Sequence, residues 1–177
     1  AKILIEKNIG ALPVLSDGEM VGIVTKSDFI YLCKAKAYEK ISVKDIMTRD
    51  IISISADDRL VHARKAIMDS GVGRLLLTED NELAGIITSK DIAKAFVSFR
   101  KHTPDKYQSS QIKELTAGDY MSTHVDTISQ YATIPQLADA MLETGYNGYP
   151  VVDDEDQIIG IVTQSDLLKL IYEMETQ

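Results

Sequence analysis

The chain repeats itself, and that constrains its fold more than anything else in it. Gly22-Ile23-Val24-Thr25-Lys26-Ser27-Asp28 recurs as Gly85-Ile86-Ile87-Thr88-Ser89-Lys90-Asp91 and again as Gly160-Ile161-Val162-Thr163-Gln164-Ser165-Asp166. Ahead of each copy lies a small-residue corner leading into an apolar strand: Ile9-Gly10-Ala11-Leu12-Pro13-Val14, Val72-Gly73-Arg74-Leu75-Leu76-Leu77 and Tyr146-Asn147-Gly148-Tyr149-Pro150-Val151. Asp45-Ile46-Met47 further upstream matches Asp119-Tyr120-Met121. A recurring segment of this kind is one structural unit, and such units bury their apolar faces on their neighbours.

Residues 45–97 show one complete unit. Ile51, Ile52 and Ile54 interleaved with Ser53 and Ser55 predict a short strand. Asp57 and Asp58 offer N-caps for a helix whose apolar residues Leu60, Ala63 and Ile67 keep helical spacing, and Gly71 suits its end. Leu75-Leu76-Leu77, a turn at Glu79-Asp80-Asn81 and Leu83 to Ile87 predict a hairpin. A second amphipathic helix carries Ile92, Ala93, Phe96 and Val97. The order is β-α-β-β-α, and the third copy follows it with Pro135 in the first helical turn after Thr133. The first copy starts with only the tail of a helix (Ile3, Leu4), so a longer parent protein is expected. The limits read as a partial unit at 1–36, a unit at 37–97, a polar linker at 98–114 and a unit at 115–177.

Composition narrows the function. The 177 residues carry 19 Lys+Arg against 27 Asp+Glu, a net charge of −8, which argues against a broad nucleic-acid-binding face. With no Trp and only 3 Phe, platforms for stacking single strands are not expected either. No apolar run has the length of a membrane span and no segment reads as a signal peptide, so the expected location is the cytoplasm, with no membrane partner. The lone Cys33 forms no internal disulfide and reads as a packing residue in a helix. His62, His102 and His124 match no zinc spacing, and no Ser/His/Asp set or Walker-type loop is present, so neither metal nor catalysis is expected.

The repeated unit, with its Pro-Val-Val-Asp strand (150–153) and Gly-Ile-Val-Thr-x-x-Asp tail, resembles the CBS domain, named after cystathionine β-synthase. The resemblance covers essentially the whole chain and is similar to archaeal proteins built from several such units. It implies an α+β fold of tandem CBS repeats packed as a pair, called a Bateman module, plus one partial CBS unit at the N-terminus. It also implies a non-catalytic regulatory role. Such pairs bind adenosyl compounds (AMP, ADP, ATP or S-adenosylmethionine) in clefts between units and pass occupancy to an attached domain or a regulated partner protein. By analogy 45–97 pairs with 115–172, although 1–97 is the other option.

The Thr-x-x-Asp tails have two compatible readings. As local structure, Thr88 caps a helix and Asp91 answers back to the backbone, and the same holds for Thr25/Asp28 and Thr163/Asp166. As a site, a strand end feeding a helix start suits polar ligands, and a carboxylate accepts both hydroxyls of a ribose. Arg74 stands where the other copies have Ala11 and Gly148, and Lys90 stands where they have Ser27 and Ser165. In kinase-regulating CBS proteins an arginine near this corner contacts nucleotide phosphate, and the resemblance implies the same of Arg74. A guanidinium fork suits that task.

By resemblance the adenine slot at Asp91 uses Met121 to Val125 with Tyr146, Asn147 and Gly148. At Asp166 it uses Met47 to Ile52 with Val72, Gly73 and Arg74. The Asp91 site then suits a phosphorylated ligand. The Asp166 site, with Thr163, Gln164 and Ser165, suits a neutral adenosyl group or stands empty, and the weaker Thr25/Asp28 site is incomplete. The rival reading is a ligand-independent scaffold that forms a homodimer through CBS faces. A third, an enzyme fragment lacking its catalytic domain, has no residues in its support.

Overall fold

The structure is a computed structural model and describes residues 1–79 and 82–176. In chain order the helices are α1 (Lys2–Glu6), α2 (Lys26–Ile30), α3 (Val43–Ile46), α4 (Leu60–Ser70), α5 (Ser89–His102), α6 (Asp105–Gln111), α7 (Ile134–Thr144) and α8 (Gln164–Glu175). The strands are β1 (Ala11–Ser16), β2 (Glu19–Thr25), β3 (Ser53–Ser55), β4 (Arg74–Glu79), β5 (Glu82–Thr88), β6 (Ile128–Ser129), β7 (Gly148–Val152) and β8 (Ile158–Thr163). The residues divide into two compact units. Ile51–Val125 form one; those up to Asp50, with those from Asp126 onward, form the other.

In the 51–125 unit, β4 lies between a parallel β3 (Ser53 opposite Leu76) and an antiparallel β5 (Leu76 opposite Ile86). Parallel strands need a crossover, and α4 supplies it. Leu60, Ala63 and Ile67 turn one face of α4 inward, and Ile92, Ala95 and Phe99 do so for α5. Both faces share a core with Leu75, Leu77 and Ile87. Gly71 closes α4 at φ 69°, a left-handed conformation that glycine adopts without penalty.

A stretch opening the third repeat in sequence is tied into this same unit. The Leu60 N–H donates to the Leu115 carbonyl at 2.7 Å, and Ala117 N–H to the Asp58 carbonyl at 2.7 Å. Ser122 and Ile86 then exchange backbone hydrogen bonds at 2.9 and 3.0 Å, extending the edge of β5.

The other unit repeats the plan. β7 lies between a parallel β6 and an antiparallel β8, and α7 starts at Thr133 with Pro135 in its first turn. The segment opening the second repeat in sequence is bound here: Thr48 and Ile161 exchange two backbone hydrogen bonds, both of 2.9 Å. The incomplete first repeat also joins this unit. Its two-stranded β1–β2 sheet leads into α2, which lies on α8, while the 3-10 turn at 31–34 lies on α7. Ile30, Cys33 and Tyr38 thereby enter one core with Leu137, Met141, Leu167 and Ile171.

Two local expectations need correction. Asp57 and Asp58 do not cap α4: its N-cap is Arg59, and the Asp58 carboxylate accepts instead from the Ser55 N–H at 3.0 Å. Of the predicted strand residues, Ile51 and Ile52 precede β3. The polar 98–114 stretch carries helix: α5 runs on to His102, and α6 follows with Asp105 in its first turn. The predicted turn residues Asp80 and Asn81 lie outside the described residues.

Candidate functional site

Each hairpin ends in the same corner. The first N–H of the following helix donates back to the residue that opens the hairpin: Lys26 to the Gly10 carbonyl (3.0 Å), Ser89 to Gly73 (3.1 Å) and Gln164 to Asn147 (3.1 Å). A threonine then caps the helix and an aspartate closes the box, so the local reading of Thr-x-x-Asp is realised in all three copies.

At the Asp91 corner, Oδ2 accepts from the Thr88 hydroxyl at 2.6 Å and from the Thr88 N–H at 3.0 Å. The Asp91 N–H returns a bond to the Thr88 hydroxyl at 3.3 Å. Among the described residues nothing bonds Oδ1 of Asp91. One carboxylate oxygen thus fixes the side chain and the other is left to accept. Arg74 stands directly across the ladder from Thr88, and exposed Lys90 adjoins Asp91. Gly73 sits in the corner with no atom within 4 Å of a β-carbon built on it, so a ligand can approach that backbone closely. Val72 is half-buried, and the Ile52 carbonyl accepts from the Leu76 N–H at 3.3 Å. Met121 and Ser122, expected at this site, lie against Gly85 and Ile86 on β5.

The Asp166 corner has the same frame with different occupants. Thr163 donates to Asp166 Oδ2 from its hydroxyl at 2.7 Å and from its N–H at 2.8 Å. Asp166 is buried, 7% exposed, and its Oδ1 lies 3.8 Å from Lys169 Nζ. Gln164 Nε2 donates to Asn147 Oδ1 at 3.0 Å, bracing the corner. Gly148 is buried. The Tyr146 ring is partly exposed and stands 6.0 Å from the ring of Tyr149, whose hydroxyl donates to the Ala140 carbonyl.

The Thr25/Asp28 corner is the open one. Its carboxyl is held below the usual carboxylate range by the Thr25 N–H and then by the Thr25 hydroxyl. What the repeat pattern did not reveal is that this corner meets the Asp166 corner. Lys26 Nζ donates to Ser165 Oγ at 3.0 Å, and Ser27 Oγ donates to Gln164 Oε1 at 3.4 Å. Equivalent positions of two copies are therefore mutual partners, which similarity between copies cannot signal. Among the described residues no group of three His, Cys, Asp or Glu side chains is placed to hold a metal ion.

Sheets of three strands flanked by two helices, each ending in a Thr-x-x-Asp corner, define a tandem-repeat module of one kind. The CBS-domain family model matches residues 1–34, 43–98 and 117–173, and the chain belongs to that family. It is 29% identical over 167 residues to the protein MJ1225 of Methanocaldococcus jannaschii, covering 92% of this chain and 59% of that protein. It is 30% identical over 171 residues to MJ1404 of the same organism, covering 93% of this chain and 40% of that protein. The chain thus spans roughly half the length of these relatives. The crystal structure of MJ1225 superposes with a TM-score of 0.79 at 26% identity, over 96% of this chain and 62% of that one. The CBS domain pair of protein MJ0100, solved in complex with 5′-methylthioadenosine and S-adenosyl-L-methionine, matches with a TM-score of 0.63 at 28% identity, over 75% of this chain and 97% of that one.

Proposed function

We propose that the chain is a non-catalytic regulatory module that binds an adenosyl ligand at its Thr-x-x-Asp corners and passes occupancy to an attached domain or a partner protein. The observation that carries this reading is the Asp91 carboxylate. Oδ2 is locked by Thr88, so Oδ1 is held still as an acceptor without a further ordering cost. A ribose diol supplies the two hydroxyl donors such an oxygen takes. Arg74 and Lys90 place positive charge on the same corner, which suits phosphate, so AMP, ADP or ATP belongs there. At the corner of Thr163, Ser165 and Asp166 the lysines are already engaged, Lys26 on Ser165 and Lys169 beside Asp166, so an adenosyl ligand without phosphate, such as S-adenosylmethionine, is assigned there. Tyr146, Asn147, Gly148, Ile52, Val72 and Gly73 are assigned to the adenine. The MJ0100 pair supports the ligand class, since its structure holds two adenosyl compounds.

A ligand that binds only the folded protein raises its melting temperature with concentration. Thermal melts with AMP, ADP, ATP and S-adenosylmethionine are expected to show such a rise for at least one. Asp91→Ala is expected to abolish the rise for the phosphorylated ligand while the variant still melts cooperatively. No rise with any of the four, or a rise unchanged in Asp91→Ala, overturns the assignment.

A further inference from the structure

The segment joining the second repeat to the third has no counterpart after the first. Between the Thr25/Asp28 box and the turn at Ser42, the chain uses only the five-residue α2 and two 3-10 turns. Between the Thr88/Asp91 box and the matching turn at Thr116, it runs through the 14-residue α5 and then α6. The repeat plan does not require this extra length, and surface segments of this kind are where binding residues concentrate.

The added segment is basic and aromatic in a chain of net charge −8. Val97, Arg100 and Lys101 are all exposed, and their i, i+3, i+4 spacing puts them on one face of α5. Gln108 folds α6 back onto the end of that helix. Its Nε2 donates to the Thr103 carbonyl at 2.8 Å, and it also reaches the Arg100 carbonyl at 3.4 Å and Asp105 Oδ1 at 3.0 Å. Lys106 and Tyr107 are thereby held near the end of α5, with Lys106 Nζ 4.6 Å from the centre of the Tyr107 ring. Tyr107 is 46% exposed and Val97 55%.

Cations in a last turn suit the helix dipole. Here carbonyls of that turn already have partners: Gln108 serves Arg100 and Thr103, and His102 Nδ1 lies 2.8 Å from the Ser98 carbonyl oxygen. Among the described residues no ion pair involves Arg100, Lys101 or Lys106, although the chain has 27 Asp+Glu against 19 Lys+Arg.

We infer that the α5–α6 elbow is a docking surface for an acidic polypeptide segment that also carries apolar side chains. Arginine and tyrosine are the side chains that most often anchor protein interfaces, and a guanidinium takes a carboxylate in a fork. Val97 and Tyr107 supply the apolar contact. Nucleic acid fits less well, because an extended phosphate strand runs past the patch onto a chain of net charge −8. A second copy of this chain meets the same repulsion. The surface is independent of the nucleotide assignment.

The probe is a synthetic peptide of repeated Glu-Glu-Leu units, titrated into the isotope-labelled chain and read by amide NMR shifts, with an oligothymidylate of similar length as the rival. Saturable shifts centred on Val97, Arg100, Lys101, Lys106 and Tyr107 are expected with the peptide, weakening as salt rises. The double variant Arg100→Gln, Lys101→Gln is expected to weaken binding about tenfold or more at unchanged melting temperature. Tyr107→Ala is expected to weaken it about fivefold with the salt dependence of the parent. Absence of shifts at millimolar peptide overturns the proposal, and so does equal binding to the double variant. Unchanged binding to Tyr107→Ala overturns it by leaving charge alone as the cause. Tighter binding of oligothymidylate than of peptide gives the surface to nucleic acid instead. A doubled mass by light scattering that the double variant reverses gives it to a second copy.

Discussion

Lys26 Nζ donates to Ser165 Oγ at 3.0 Å, joining the helix start of the incomplete first repeat to that of the third. Below this polar contact, Ile30, 2% exposed, packs in a core with Leu167 and Ile171. The polar contact is partly exposed and contributes little, whereas the apolar core carries the docking. Ile30→Ala is therefore expected to lower unfolding stability by about 2–5 kcal/mol, measured by urea titration. Lys26→Ala is expected to cost no more than about 1 kcal/mol. Equal, small effects of both would show that α2 is not held by its apolar face.

The three repeat glycines are expected to respond differently to one added methyl group. At Gly85 a β-carbon meets Met121 Sδ at 2.6 Å and the Ser122 carbonyl oxygen at 2.8 Å, and the backbone atom cannot swing aside. Gly85→Ala is expected to lower stability by about 1–3 kcal/mol, and Gly160→Ala by a similar amount. Gly22→Ala, in open space, is expected to change it by less than about 0.5 kcal/mol. Thermal melts of the three variants test this ranking.

How far the fold was legible depended on the range of the interaction. Gly71 and Gly145 end helices in left-handed conformations at φ 69° and 71°, and the Thr-x-x-Asp boxes close over three residues; all are written locally. Asp58 was misread because two nearby backbone N–H groups compete for one carboxylate, and Ser55 wins it. The segments at Met47 and Met121 were legible as repeated words but not as edges bridged to β8 and β5, since their partners lie far along the chain. The same holds for the Asp166 corner. Its internal geometry follows from the motif, whereas the meeting of Lys26 with Ser165 depends on packing between repeats.

Acid should weaken the protein partly through its capping aspartates. Asp45 is held below its ordinary value of 3.8, first by the Ser42 hydroxyl and then by the Ser42 N–H. A depressed carboxylate binds protons less readily in the folded state, so its contribution is present above the unfolded value and lost as pH falls through the folded one. Asp28 acts in the same direction through Thr25. Melting temperature is expected to fall between about pH 5 and pH 2, and the fall is expected to be smaller in Asp45→Asn. Both carboxylates are exposed, so the difference is modest and shrinks at high salt. An unchanged acid slope in Asp45→Asn would assign the loss to other groups.

Cys33 reports on the opening of the core that α2 completes. Its side chain is fully buried, and burial pushes the thiol up to about 12 from an ordinary 9.0. The thiolate is the reactive form, so the folded protein is expected to resist alkylation at pH 8.5. Labelling then requires the core to open, and its rate tracks that opening. Because the folded value is raised, the stability tied to this thiol is present below about pH 9 and is lost as pH climbs toward 12. Ile30→Ala loosens the same cluster and is expected to speed Cys33 labelling about tenfold or more, read by mass spectrometry. Gly85→Ala acts in the other compact unit and is expected to leave the rate near that of the parent. Equal acceleration by both would mean that Cys33 is exposed by global unfolding rather than by release of the first repeat.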